Sequence, residues 1–137
     1  MHHRERLARA PSDIREYRYL TAAYVAAGRH HLAQETIDAG LTLAADDRHL
    51  IASRGEVRAA TGDPQGALAD WARAVELDDS DISPLYSTAY LLEREGRLDE
   101  AAGSWRAIVG WQEQRGYPAS EHSKNEYARI SQSISSS

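Results

Sequence analysis

Apolar residues in the middle of the chain fall in helical stripes. From Pro64 to Asp78 they stand at Ala67, Leu68, Trp71, Ala74, Val75 and Leu77. Steps of three and four place these on one face of an α-helix, whereas a half-buried strand would alternate every second residue. The stripe follows Asp63-Pro64, an acidic N-cap with proline at the first helical position. Just upstream, Thr61-Gly62 closes another helix, expected over about 48–60, for which Asp47 supplies the cap. The pattern predicts a pair of helices joined by a tight turn. Near the start of the chain, Asp13 and Glu16 have capping-box spacing ahead of Tyr17 and Leu20.

The same arrangement recurs. Glycines stand at Gly28, Gly62 and Gly96, 34 residues apart each time. Three further columns keep that period: Ala33, Ala67 and Ala101; Ile37, Trp71 and Trp105; Leu43, Leu77 and Trp111. Four columns in one phase imply a helical hairpin repeated three times, with no hairpin able to bury its apolar face alone. Ala, Leu, Arg and Glu dominate the composition, and runs of β-branched residues are missing. That balance favours short helices over strands.

A 34-residue helix–turn–helix unit resembles the tetratricopeptide repeat (TPR). Its second-helix signature, Ala-x3-aromatic, stands in Ala67/Trp71 and Ala101/Trp105, and in softer form in Ala33/Ile37. The first-helix signature reads Tyr17, Leu20, Thr21, Tyr24 in one unit, Ile51, Arg54, Gly55, Arg58 in the next and Leu85, Thr88, Ala89, Leu92 in the last. The closing proline is replaced by Ala45, Asp79 and Glu113. The resemblance places units at 14–47, 48–81 and 82–115. It implies an all-α fold: three stacked units in a right-handed superhelix, followed by a capping helix. Residues 1–13 read as the end of a partial helix and a linker, with 1–10 similar to the tail of a preceding second helix and Pro11 in the place of a closing proline. Residues 116–137 read as a capping helix, about 119–134, and a serine tail. Its apolar residues Tyr127, Ile130 and Ile134 would cover Trp105 and Trp111, as the end of a solenoid requires.

Small residues are expected where helices cross: Gly55 and Ala89 at one position, Ala33, Ala67 and Ala101 at the other. Arg54 interrupts the apolar pattern. A buried guanidinium needs a carboxylate, and Asp70 on the partner helix is expected to supply it. The equivalent pairs are Leu20/Thr36 and Thr88/Ser104, so where the arginine is absent the acid is absent too. The Arg54–Asp70 pair is expected to be structural.

The resemblance also implies a concave groove lined by the first helix of each unit. The groove residues it assigns to peptide binding are Arg15, Arg18 and Tyr19 in the first unit, His49, Ser53 and Glu56 in the second, and Tyr86, Tyr90 and Glu93 in the third. Tyr86 and Tyr90, one turn apart, would form an aromatic platform. Ala22, Ala52 and Ala59 would leave room for a guest backbone. Such a trough suits a peptide or partner helix with an apolar residue and mixed charge, since aromatic and arginine side chains are frequent anchors. Carboxylate-clamp members of the family hold chaperone tails with Lys and Asn residues. The matching positions here are Arg18, Ala22, Ser53, Ser83 and Ser87, which leave one suitable charge. A clamp of that kind is not expected.

Composition narrows the remaining classes. Sixteen Lys and Arg against 21 Asp and Glu give a net charge of −5 without a basic block, which argues against nucleic acid or an anionic membrane as partner. There is no cysteine, so disulfides, thiolate metal sites and thiol nucleophiles are excluded. No apolar run is long enough to span a bilayer, and the charged N-terminus lacks the apolar stretch of a secretory signal. A cytoplasmic location is the expectation. His30 and His31 are adjacent and point to different sides, His122 on the capping helix has no obvious acid partner, and neither a G-x-S-x-G elbow nor a phosphate loop occurs. The expectation is therefore a non-catalytic protein-interaction module, with no cofactor, no metal and no catalytic residue. The alternatives are a self-associating assembly piece (a homo-oligomer) or a regulatory TPR segment of a larger protein.

Overall fold

The computed structural model describes residues 13–118 and 120–136. They form seven α-helices and, among the described residues, no strand. In chain order these are α1 (Ile14–Ala26), α2 (His30–Leu43), α3 (Arg48–Ala60), α4 (Pro64–Leu77), α5 (Ser83–Arg94), α6 (Leu98–Gln114) and α7 (Glu121–Ser135). The helix expected over 48–60 is α3, and the one beginning at Pro64 is α4. The capping helix starts and ends slightly later than expected, because Ser120 is its N-cap and accepts from the Ser123 amide. The expected partial helix over 1–10 with its Pro11 stop lies outside the described residues.

The 34-residue period is visible in the backbone bonds of the turns. The amides of Arg29, Asp63 and Arg97 donate to the carbonyls of Tyr24, Arg58 and Leu92, at 2.9, 2.8 and 2.8 Å. Each bond spans five residues and closes a helix through a glycine: Gly28, Gly62 and Gly96 have φ of 71°, 92° and 77°. A side chain at such a φ is strained, which is why glycine holds this column. Asp47 and Asp63 then cap the next helices, accepting from the amides of Leu50 and Gly66 at 3.0 Å each. Asp13 caps α1 by accepting from the Arg15 amide.

The chain divides into two compact units between Asp79 and Ser80. In the first, α1 pairs with α2 and α3 with α4, and the two hairpins stack through α2 and α1 against α3. Leu20, Ile37 and Leu50 are completely enclosed, and Tyr17, Ala33, Ile51, Val57, Ala67, Trp71 and Ala74 are buried around them. Enclosing a side chain such as Ile37 contributes roughly 1.5–3 kcal/mol. Gly55 lets α3 and α4 approach closely. A Cβ there would lie 2.6 Å from Trp71 Nε1, an indole held in place by its bond to the Ala52 carbonyl at 3.2 Å.

The expected ion pair is present and larger than foreseen. Arg54 donates from Nη2 to Asp70 Oδ1 at 2.8 Å, and from Nε to both carboxylate oxygens at 3.2 and 3.1 Å. Arg58, one turn along α3, adds a bond from Nη1 to Asp70 Oδ2 at 2.9 Å. One buried carboxylate thus ties two guanidiniums of the facing helix. In the other hairpins, Thr36 and Thr88 turn their hydroxyls onto the carbonyls of Leu32 and Pro84 in their own helices.

In the second unit α5 pairs with α6, and α7 packs on α6. Trp105, Ile108 and Ile130 are completely enclosed, with Ala89, Leu91, Leu92 and Ala101 buried beside them. The Leu43/Leu77/Trp111 column behaves differently from the other three. Leu43 is 49% exposed, and Leu77 and Trp111 are half-buried, because the column falls at the ends of the second helices. Helix α7 reaches Trp105 through His122. Trp111 is covered instead by the stacked ring of Tyr117 and by the Arg115 guanidinium, 4.5 Å above it.

Candidate binding faces

Helices α1 and α3 lie side by side, and the 34-residue register pairs Arg15 with His49, Tyr19 with Ser53 and Ala22 with Glu56. These side chains therefore share one face of the first unit. Arg15, Tyr19, His49 and Glu56 are exposed, and Ser53 is half-buried. Tyr19 is 57% exposed, a large aromatic ring presented to solvent. With Asp13, Arg15 and Glu16 it lines an open depression of about 530 Å³. At the other end of the face, burial by surrounding protein pushes the Glu56 carboxyl above its ordinary pKa. The side chain still reaches solvent, so partial desolvation is the cause.

Arg18 has a different task from its neighbours. Its Nε donates to Asp47 Oδ2 at 2.8 Å, and its Nη2 reaches the same oxygen. Asp47 is buried and also caps α3, so Arg18 straps α1 to the start of α3. Burial pushes the Asp47 carboxyl up. The Arg18 hydrogen bond, the Leu50 amide and the nearby positive charge of Arg18 outweigh it and hold the pKa below 3.8. A carboxyl whose pKa is lowered on folding stabilises the fold above its unfolded pKa, and this contribution is lost as pH falls through the folded value. Asn caps a helix as well as Asp does, so Asp47→Asn isolates the charge. The expected cost at pH 7 is about 1 kcal/mol, kept small by the exposure of Arg18. The gap between denaturant melts of the two proteins is expected to begin closing as pH falls below 3.8 and to vanish only below the lowered folded pKa; a gap of unchanged size from neutral pH down to about pH 2 would count against the ion pair.

In the second unit the structure brings Tyr86, Tyr90 and Glu93 together on α5, and α7 meets all three. The Tyr86 hydroxyl lies 3.5 Å from Ser123 Oγ. The Tyr90 hydroxyl shares a 2.8 Å hydrogen bond with His122 Nε2. Arg129 Nη2 donates to both oxygens of Glu93 at 2.8 Å and also pairs with Glu126. Tyr86, Tyr90 and His122 all set their rings edge-on to Trp105, with centroids 5.8, 5.2 and 5.7 Å away. Burial, with Glu126, Tyr86 and Glu93 close by, pushes the Tyr90 hydroxyl above its ordinary pKa, so it stays protonated. Tyr86 and Tyr90 thus share Trp105 as a neighbour, and α7 is seated against both.

Sequence reasoning missed the partners more than the positions. The role of Asp47 as both cap and counter-ion, Arg58 beside Asp70, and His122 and Arg129 against α5 carry no signal in the repeat pattern. Among the described residues, no group of three or more His, Cys, Asp or Glu side chains is placed to hold a metal ion. Among the described helices, none is long and apolar enough to cross a membrane.

Helical hairpins closed by glycine in one register, crossing at small residues, define a TPR-like helical solenoid fold. No protein-family model matches the sequence, and no curated protein matches it. Solved structures do match. The first TPR of Spaghetti (RPAP3), bound to the HSP90 peptide SRMEEVD, is similar over 89% of this chain and 95% of that one, with a TM-score of 0.72. The two are 17% identical, so the likeness is one of fold.

Proposed function

We propose that this chain is a non-catalytic protein-interaction module and that the α1/α3 face of its first unit receives an extended peptide or a partner helix. The observation that carries this reading is Tyr19, an exposed ring between Arg15 at one end of the face and the small Ala22 beside Glu56 at the other. Exposed aromatics rimmed by charge are common anchors of protein interfaces. The peptide held by the similar solved domain supports the class of function. Its acidic sequence does not transfer: of the clamp positions only Arg18 bears a suitable charge, and that charge is already bound to Asp47. The favoured ligand has an apolar side chain for Tyr19, an acidic group near Arg15 and a basic group near Glu56.

Peptides selected from a random display library against the folded chain test this. Double substitution Arg15→Glu with Tyr19→Ala is expected to weaken the selected peptides at least tenfold. The change Tyr90→Ala, on the other unit, is expected to leave them within about twofold. Selected peptides indifferent to Arg15 and Tyr19 would move the site elsewhere.

A further inference from the structure

Helix α7 is held lightly for a helix that closes a fold. Of its 15 residues only Ser123 and Ile130 are buried. Four of the 15 are serines, at 123, 131, 133 and 135, which favour a helix less than alanine does. The surface under it is richer. Trp105 and Ile108 of α6 are fully enclosed, and α5 contributes Tyr86 and Tyr90 at the edge of Trp105. Tyr90 is still 47% exposed with α7 in place. The contacts that fix α7 on α5 are polar: a hydroxyl to Ser123, a hydroxyl to His122 and the carboxylate of Glu93 to Arg129. One enclosed apolar residue, the half-buried Tyr127 and Ile134, and polar bonds that are exposed at Tyr90 and Glu93 hold a helix loosely against local opening.

We infer that the α5/α6 surface is a helix-binding site whose resident ligand is α7, and that a partner's amphipathic helix displaces it. The chemistry of that helix is written by the contacts α7 now makes. It has a branched aliphatic residue in the place of Ile130, a cation one position earlier to meet Glu93, and a hydrogen-bonding side chain two turns upstream for Tyr90. An apolar residue where α7 has the half-buried Ser131 would give the partner the advantage over the resident, whereas the enclosed Ser123 leaves no room for a larger one. This site lies on helices other than the α1/α3 face, so either can fail without the other.

The probe is a labelled synthetic peptide of residues 120–136, titrated in trans against the full chain and followed by anisotropy. The wild-type chain is expected to bind it weakly, because its own α7 occupies the site. A chain carrying Ile130→Asp is expected to bind the wild-type peptide at least tenfold more tightly. A peptide carrying Ile130→Asp is expected to bind neither chain. The milder Arg129→Glu chain exchanges exposed ion pairs with Glu93 and Glu126 for like-charge repulsion and keeps the enclosed Ile130. It is expected to bind the wild-type peptide several-fold more tightly, and it decides the matter if Ile130→Asp does not fold. Geometry is read from a charge swap: a Glu93→Arg chain is expected to prefer the Arg129→Glu peptide to the wild-type one. Folded variant chains that bind the peptide no better than wild type, or a Glu93→Arg chain indifferent to the swap, would overturn the inference.

Discussion

Trp105→Ala is expected to destabilise the second unit by about 3–5 kcal/mol, the cost typical of removing an enclosed indole. The side chain has no exposed surface and is met edge-on by Tyr86, Tyr90 and His122. Each edge-on ring pair adds about 0.5–1.5 kcal/mol beyond burial, and all three are lost together. A smaller ring recovers part of this cost, because it keeps aromatic packing and removes Trp105 Nε1, which is buried without a hydrogen-bond partner. Trp105→Phe is therefore expected to cost clearly less than Trp105→Ala, by at least about 1 kcal/mol. Urea melts followed by circular dichroism measure both; equal losses in the two variants would contradict the packing described here.

Asp70→Ala is the second large effect, expected at about 2–3 kcal/mol. The lost carboxylate is almost wholly buried, and its removal leaves Arg54 and Arg58, one turn apart on α3, without their shared counter-ion. Breaking a buried pair from one side ordinarily costs about 3–5 kcal/mol. The value is set lower here because the two guanidiniums are about a quarter to a third exposed and can turn to water. Replacing both Arg54 and Asp70 by apolar residues of similar size, Arg54→Met with Asp70→Leu, is expected to restore most of the loss. Neighbouring charges act as a unit, so the double substitution is read as a cycle with its two singles. A double variant as unstable as Asp70→Ala would show that the acid does more than neutralise Arg54.

Legibility in the sequence followed the period. Columns that must be small or glycine in every hairpin stood out: Gly28, Gly62 and Gly96 at the turns, and Ala33, Ala67 and Ala101 at the crossings. The Arg54–Asp70 pair was legible because a break in the apolar pattern needs a partner. A column whose size changes along the chain was not. Gly40, Ala74 and Ile108 occupy one register and all are buried. The first is glycine because a Cβ there would lie 2.5 Å from Leu50 Cδ1. The last is isoleucine, fully enclosed in the second unit. Size varies because each hairpin has different neighbours, and repetition cannot report that. The binding positions were read from family geometry, which locates a residue on a helix without saying what else packs there. Arg18 and Tyr90 were correctly placed on their helices, yet both are engaged by the chain itself: Arg18 by a cap residue, Tyr90 by a helix outside the repeats.

The distribution of indoles has a practical consequence. Trp71 is the sole tryptophan before Ser80, while Trp105 and Trp111 both follow it. Trp71 donates a hydrogen bond from its ring nitrogen and Trp105 does not, so their emission spectra are separable in principle by wavelength as well as by substitution. A chain retaining only Trp71 would light up the melting of one half, and a chain retaining only Trp105 the other. Whether heat dissolves the two halves in one step or in sequence thus becomes a question that native fluorophores answer, with no dye attached.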